Sequence, residues 1–131
     1  MVNKIQIKSL VRNICEVEYF LNTIFRDFQF SRKIYCKIYL ATIEAVNNAV
    51  IHGNKSDASK NVTVSFKIDV DKYIVSVKDE GPGFDYTNIS DPRHANNIYK
   101  ETGRGIFIMK QYADKVKFNK EGTLVKLIFN K

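Results

Sequence analysis

Glu44, Asn48 and His52 recur at a spacing of four, so a helix carries them on one face, with Asn47 beside them. The residues around them are apolar: Ile38, Tyr39, Ala41, Ile43, Ala45, Val46, Ala49 and Val50. Carboxylates and amides in apolar surroundings are costly unless they have partners. This face therefore lines a cavity, or else it is a helix end in solvent. A magnesium ion takes oxygen ligands and keeps several waters, so one Asn carbonyl with phosphate oxygens is a workable set, and Asn48 is the candidate. A carboxylate one turn away, Glu44, can polarise a hydroxyl or water for attack on phosphorus.

Asp79 is a second candidate. It is in phase with Tyr73, Val75 and Val77, so it points to the covered side of a strand. Glu80-Gly81-Pro82-Gly83 follows at once. An inward carboxylate at a strand end can accept a hydrogen bond from an exocyclic amine such as adenine's. Gly81 and Gly83 let the backbone approach a flat ring, unless they merely make a tight turn. The third cluster is Thr102-Gly103-Arg104-Gly105-Ile106, ahead of an expected helix. Backbone N–H groups at a helix start favour phosphate, and Arg104 adds a charge-assisted contact. No Gly-Lys-Ser/Thr follows, so this is not a Walker A loop, and no strand with Gly-x-Gly-x-x-Gly indicates a Rossmann unit.

These residues need elements to hold them. Ile5 and Ile7 alternate with polar neighbours and predict a short strand. Ser9 is read as an N-cap. The stripe Leu10, Ile14, Val17, Leu21, Ile24, Phe28 makes a helix that packs on its own core or on a second copy. Ser31 caps a second helix running to about Ile51, apolar on most sides and therefore largely buried, which Gly53 ends. Val62, Val64, Phe66, Ile68 and Val70 alternate as a strand, and an Asp71-Lys72 turn leads to the strand that carries Asp79. Residues 84–102 have no period and read as a long loop. A helix over 105–113 and strands near 115–119 and 123–129 follow. Thr123 is in phase with Val125, Leu127 and Phe129, so it too faces the covered side. The outline is an α+β two-layer sandwich, helices on one face of a mostly antiparallel sheet.

Composition sets outer bounds. The chain has 131 residues, 44% of them apolar, enough for one domain with a real core. The net charge is +7, with the basic residues scattered along the sequence and not interleaved with aromatics. A solvated surface and one anionic ligand explain that charge, and direct nucleic-acid binding is not expected. Cys15 and Cys36 sit in helix-like apolar segments and are expected as buried thiols, without metal-ligand spacing. No apolar run is long enough to span a bilayer, and Met1–Ser9 lacks a signal peptide's apolar block. A cytoplasmic location is the expectation.

Order and spacing now combine: Glu44-x3-Asn48, His52-Gly53, Asp79-x-Gly81-x-Gly83, a loop, Gly103-x-Gly105, and Gly122-Thr123. The set resembles the GHKL ATPase superfamily, which includes gyrase, histidine kinases and MutL. Within it, the chain is similar to the anti-sigma factor serine kinases of the SpoIIAB and RsbW type. The likeness runs from about residue 35 to 130. It implies a Bergerat ATP-binding fold over residues 1–131 and ATP with magnesium as ligands. It implies Glu44 as general base, Asn48 as magnesium ligand and Asp79 as the adenine contact. Gly81 and Gly83 would shape the pocket, with residues 84–102 as a lid. Gly103, Arg104 and Gly105, with Ile106, would hold phosphates, and His52 and Thr123 would border the nucleotide. The implied partners are a sigma factor or similar target and a small antagonist protein. Residues 1–43 contain no histidine, which sets the chain apart from histidine kinases with a phosphoacceptor hairpin, and it ends on its last strand. One departure is Glu101, where some relatives have a basic residue. Lys100 and Arg104 flank it.

Overall fold

The structure, a computed structural model, describes residues 2–83 and 101–131. It begins with β1 (Val2–Lys8), a 3-10 turn (Val11–Asn13), α1 (Ile14–Phe28) and α2 (Arg32–Asn47). A π-helical turn (Asn48–Gly53) continues α2 directly. Then come β2 (Asn61–Ile68), β3 (Lys72–Lys78), α3 (Glu101–Tyr112), β4 (Lys115–Phe118) and β5 (Leu124–Asn130). The five strands form one sheet in the order β1-β2-β3-β5-β4, and every neighbouring pair is antiparallel.

Register builds the core. Ile7 faces Val62, Val64 faces Val77, Phe66 faces Val75, and Val75 faces Leu127. All these side chains are buried, while the residues between them point to the other face. The helices cover the buried face. The stripe of α1 delivers Ile14, Val17, Leu21 and Ile24 to it, and α2 delivers Ile38, Ala41, Ala45 and Val46. Burying a Leu or Ile side chain fully stabilises by ~1.5–3 kcal/mol, so this stripe accounts for α1's place in the domain's own core. Phe30, Phe66 and Tyr73 close the far end as a ring cluster.

The two-layer α+β sandwich is as expected. Several local expectations need correction. Ser9 does not cap α1. It is fully buried, and both its N–H and its Oγ donate to the Lys60 carbonyl, at 3.1 and 2.8 Å. A carbonyl distant in sequence won the hydroxyl that a helix start would otherwise have used. Ser31 does cap α2, accepting from the Ile34 N–H at 3.2 Å. Cys15 and Cys36 are exposed, not buried. Cys15 follows the buried Ile14 without sharing its phase, and the apolar surface of α2 is narrower than its composition suggests, with Cys36 and Leu40 both exposed. Phe28 is likewise exposed at the end of the α1 stripe. Val70 is 92% exposed, because β2 ends at Ile68 and the turn runs from Asp69 to Lys72, closed by the Asp69 N–H on the Lys72 carbonyl. The third helix begins at Glu101, so the Gly103–Gly105 segment lies inside its first turns instead of ahead of it. Of the expected loop over 84–102, residues 84–100 lie outside the described residues, and its last two belong to α3.

Candidate functional site

The π-turn connects two groups of candidate residues. Asn48 starts it and Gly53 ends it. The Asn54 N–H closes the wide turn on the Ala49 carbonyl at 2.8 Å. Such turns are rare, and they recur where a helix must re-aim side chains.

At its far end the backbone is packed against Asp79. A Cβ built on Gly53 would lie 2.4 Å from Asp79 Oδ2. A Cβ on Gly81 would lie 1.8 Å from the Gly53 carbonyl oxygen. Gly83 has φ +84°, and a Cβ there would sit 1.9 Å from the Glu121 oxygen. Glycine is required at all three by space, and at Gly83 by conformation as well. The Asp79 carboxylate accepts the Gly81 N–H at 2.8 Å, and the Asp79 N–H donates to the Thr123 carbonyl at 2.9 Å. The side chain is buried, and that desolvation holds its pKa above the usual carboxylate value, against the opposing Gly81 hydrogen bond and the Lys60 charge. Thr123 completes this corner, its N–H donating to Asn119 Oδ1 and its Oγ1 accepting from Asn119 Nδ2.

At the near end lies a cleft of about 300 Å³ lined by Glu44, Asn48, His52, Arg104, Gly105 and Ile108. A Cβ on Gly105 would lie 3.0 Å from both amide atoms of Asn48, so glycine there lets α3 approach that side chain. Desolvation raises the pKa of Glu44, and the Arg104 guanidinium opposes that rise. The cleft thus joins a half-buried carboxylate, an amide and a cation.

Glu44, Asn48, His52, Arg104 and Gly105 are therefore brought together, as are Asp79, Gly81, Gly83 and Thr123. Gly103 supplies only backbone in the first turn of α3, where N–H groups lack helical acceptors. Ile106 is 3% exposed and sits in the core behind the turn. Among the described residues no cluster of three or more His, Cys, Asp or Glu could hold a metal, so a magnesium ion here would need oxygens from its ligand besides Asn48. Asn48 lines the cleft, and a side-chain amide carries an oxygen of the kind such a site would use.

Residues 7–129 match the histidine kinase-like ATPase domain family. The chain belongs to this family. Among relatives, it is 32% identical over 84 residues to serine-protein kinase RsbW of Bacillus subtilis (strain 168), covering 60% of this chain and 52% of that one. It is 30% identical over 99 residues to the anti-sigma F factor of Clostridium perfringens (strain SM101 / Type A), covering 72% and 69%. It is 36% identical over 93 residues to the anti-sigma F factor of Anoxybacillus flavithermus (strain DSM 21510 / WK1), covering 65% and 62%. The chain spans about half the length of the RsbW relative it matches. These likenesses set this ATPase domain in the anti-sigma kinase branch of the family.

One residue that positions the site was missed in the sequence. Asn54 is 1% exposed, and its side chain joins three distant segments. Its Oδ1 accepts the Glu80 N–H at 2.7 Å, and its Nδ2 donates to Ser9 Oγ at 2.7 Å and to the Asn61 carbonyl at 3.0 Å. It thereby fixes the π-turn of the ATPase domain to β1, β2 and the residue after Asp79. A polar residue directly after the helix-ending Gly53 was the available signal. Among the described residues no helix is long and apolar enough to cross a membrane.

Proposed function

We propose that this chain binds ATP with magnesium and transfers the terminal phosphate to a serine or threonine of a small antagonist protein. In one nucleotide state it would hold a sigma factor or similar target, which implies a role in transcription and a cytoplasmic location. The observation that carries this reading is the single π-turn that presents Asn48 to one cleft and packs Gly53 under Asp79 at the other end. A ligand with an amine-bearing ring and a chain of phosphates has both kinds of end. The names of the relatives, a serine-protein kinase and anti-sigma F factors, support the same reading.

Asp79, fixed by the Gly81 N–H, would accept the adenine amine with its remaining oxygen. Arg104 and the N–H groups at the start of α3 would orient the phosphates. Magnesium, on Asn48 Oδ1 and phosphate oxygens, would neutralise charge on them. Glu44 would take the proton from the attacking hydroxyl while the phosphorus bond to the bridging oxygen breaks and ADP leaves. A carboxylate with a raised pKa suits that task.

A second reading is ATP-dependent partner binding without transfer. The charge of Arg104 acting on Glu44 favours it, because a neighbouring guanidinium makes the carboxylate a weaker base. Labelled ATP and a candidate antagonist decide between them. Transfer by the native chain, lost in Glu44→Gln with ATP binding kept, is the expected result. Partner binding that needs ATP, with no transfer to any serine, would leave the second reading. No nucleotide binding by calorimetry would overturn both.

A further inference from the structure

The face of the sheet turned away from the helices is lined with lysine. Register places one row across all five strands: Lys4, Ser65, Ser76, Lys126, Lys117. The row beside it runs Val2, Lys67, Ile74, Ile128, Lys115, and the next runs Gln6, Thr63, Lys78, Leu124. Every lysine in these rows is exposed. None of the five strands contains an Asp or Glu. Among the described residues none of these lysines is ion-paired. Glu80 and Asp114, just beyond strand ends, are already engaged by the Asn61 and Asn130 N–H groups.

This pattern costs stability. Lys126 lies directly opposite Lys117, and like charges in that position repel. The sequence hides the concentration, because lysines at alternate strand positions look scattered along the chain. The excess of 21 basic over 14 acidic residues thus has a definite location. Ile74 and Ile128, half-buried and paired, lie between Lys67 and Lys115. A small apolar centre inside a charged rim is the arrangement of a protein interface.

We propose that this open face docks an acidic protein surface whose carboxylates surround a few apolar side chains. The face carries no arginine and no aromatic ring, the groups that read bases or stack on them, so nucleic acid is disfavoured. A second copy packed face to face would set lysine against lysine. The site of Glu44, Asn48 and Asp79 is on the helical side, so the docking surface stands whether or not the chain transfers phosphate.

The test is an NMR titration of the whole chain with a synthetic amphipathic helix, leucines along one stripe and glutamates flanking it. Three comparisons accompany it: a scrambled peptide of the same composition, a short DNA duplex, and phosphatidylglycerol vesicles. Amide shifts should fall on the open-face residues of β1 to β5. Lys67→Glu with Lys126→Glu should weaken binding about tenfold or more, and Ile74→Ser should weaken it less. The lysine variant should melt at or slightly above the native temperature, since Lys126→Glu relieves the repulsion from Lys117, and should keep its affinity for a fluorescent ATP analogue. No binding, shifts only on the helical side, equal binding of the scrambled peptide, or tighter binding of duplex or vesicles would each overturn the proposal. So would a native chain that dimerises through this face.

Discussion

The two ends of the site are built in opposite ways. Around Asp79 there is no spare room: Gly53 lies against its carboxylate, Gly81 against the Gly53 carbonyl and Gly83 against the Glu121 carbonyl, all at distances that no Cβ could share. Around Glu44 there is an open cleft of about 300 Å³, and the nearest glycine contact, Gly105 on Asn48, is only snug. Both carboxylates are pushed up in pKa by burial, yet a backbone N–H opposes that rise at Asp79 and the charge of Arg104 opposes it at Glu44. A rigid end suits recognition of a fixed planar group. A roomy end suits a group that must move and react.

The largest effects should therefore come from the rigid end. Gly81→Ala puts a Cβ into a backbone carbonyl that cannot step aside, and should destabilise by about 3 kcal/mol or more in urea unfolding. Gly105→Ala meets only a side-chain amide and should cost much less stability. Similar costs for the two would erase the contrast. Asn54→Ala comes next. It strands the Glu80 N–H and the Asn61 carbonyl together, and should cost about 2–4 kcal/mol. A cost below about 1 kcal/mol would show that water replaces the amide easily.

Ligand measurements separate the ends further. Asp79→Asn can keep an oxygen on the Gly81 N–H, but then it turns an NH₂ toward the adenine amine. Stability should hold while ATP affinity falls about 10- to 100-fold. Glu44→Gln should leave ATP affinity nearly unchanged and lower phosphate transfer by about 100- to 10,000-fold. If Glu44→Gln abolishes binding instead, the cleft recognises the ligand and does not process it.

The fold was legible because its signals were long: strict alternation in β2 and β3, and a four-three stripe in α1. Glu44, Asn48 and Asp79 were legible because a polar residue in an apolar phase is rare. Other features depended on contacts distant in sequence. Ser9 carries a capping residue's identity but hydrogen-bonds Lys60, and Asn54 looks like a loop residue until Ser9, Asn61 and Glu80 converge on it. The π-turn leaves no local mark, since it arises when the chain must deliver Gly53 beneath Asp79. The lysine face is invisible until strand register is known.

Solution pH probes both carboxylates together. Each has a folded-state pKa above its unfolded value, so the folded chain binds those protons more tightly. The associated stability is fully present below the unfolded value of about 4, and is lost as pH rises through the raised folded values. As pH falls toward the ordinary carboxylate range, the native chain should gain stability relative to a chain carrying Asp79→Asn and Glu44→Gln. Parallel curves would mean that neither carboxyl is desolvated enough to matter.

The smallest effect lies outside both ends. Thr42 is fully buried on α2, and its Oγ1 has no hydrogen-bond partner among the described residues. This differs from Asn54, equally buried, whose every side-chain bond ties the site together. An unpartnered buried hydroxyl costs free energy, and a methyl of nearly the same size does not. Thr42→Val should therefore stabilise by about 1 kcal/mol, with ATP affinity unchanged, because the hydroxyl holds nothing in place. A destabilised Thr42→Val would mean that the hydroxyl has a partner after all. A stabilised Thr42→Val with weakened ATP binding would mean that α2 must give slightly for the cleft to close on its ligand, and looseness at the Glu44 end would then extend into the helix that carries it.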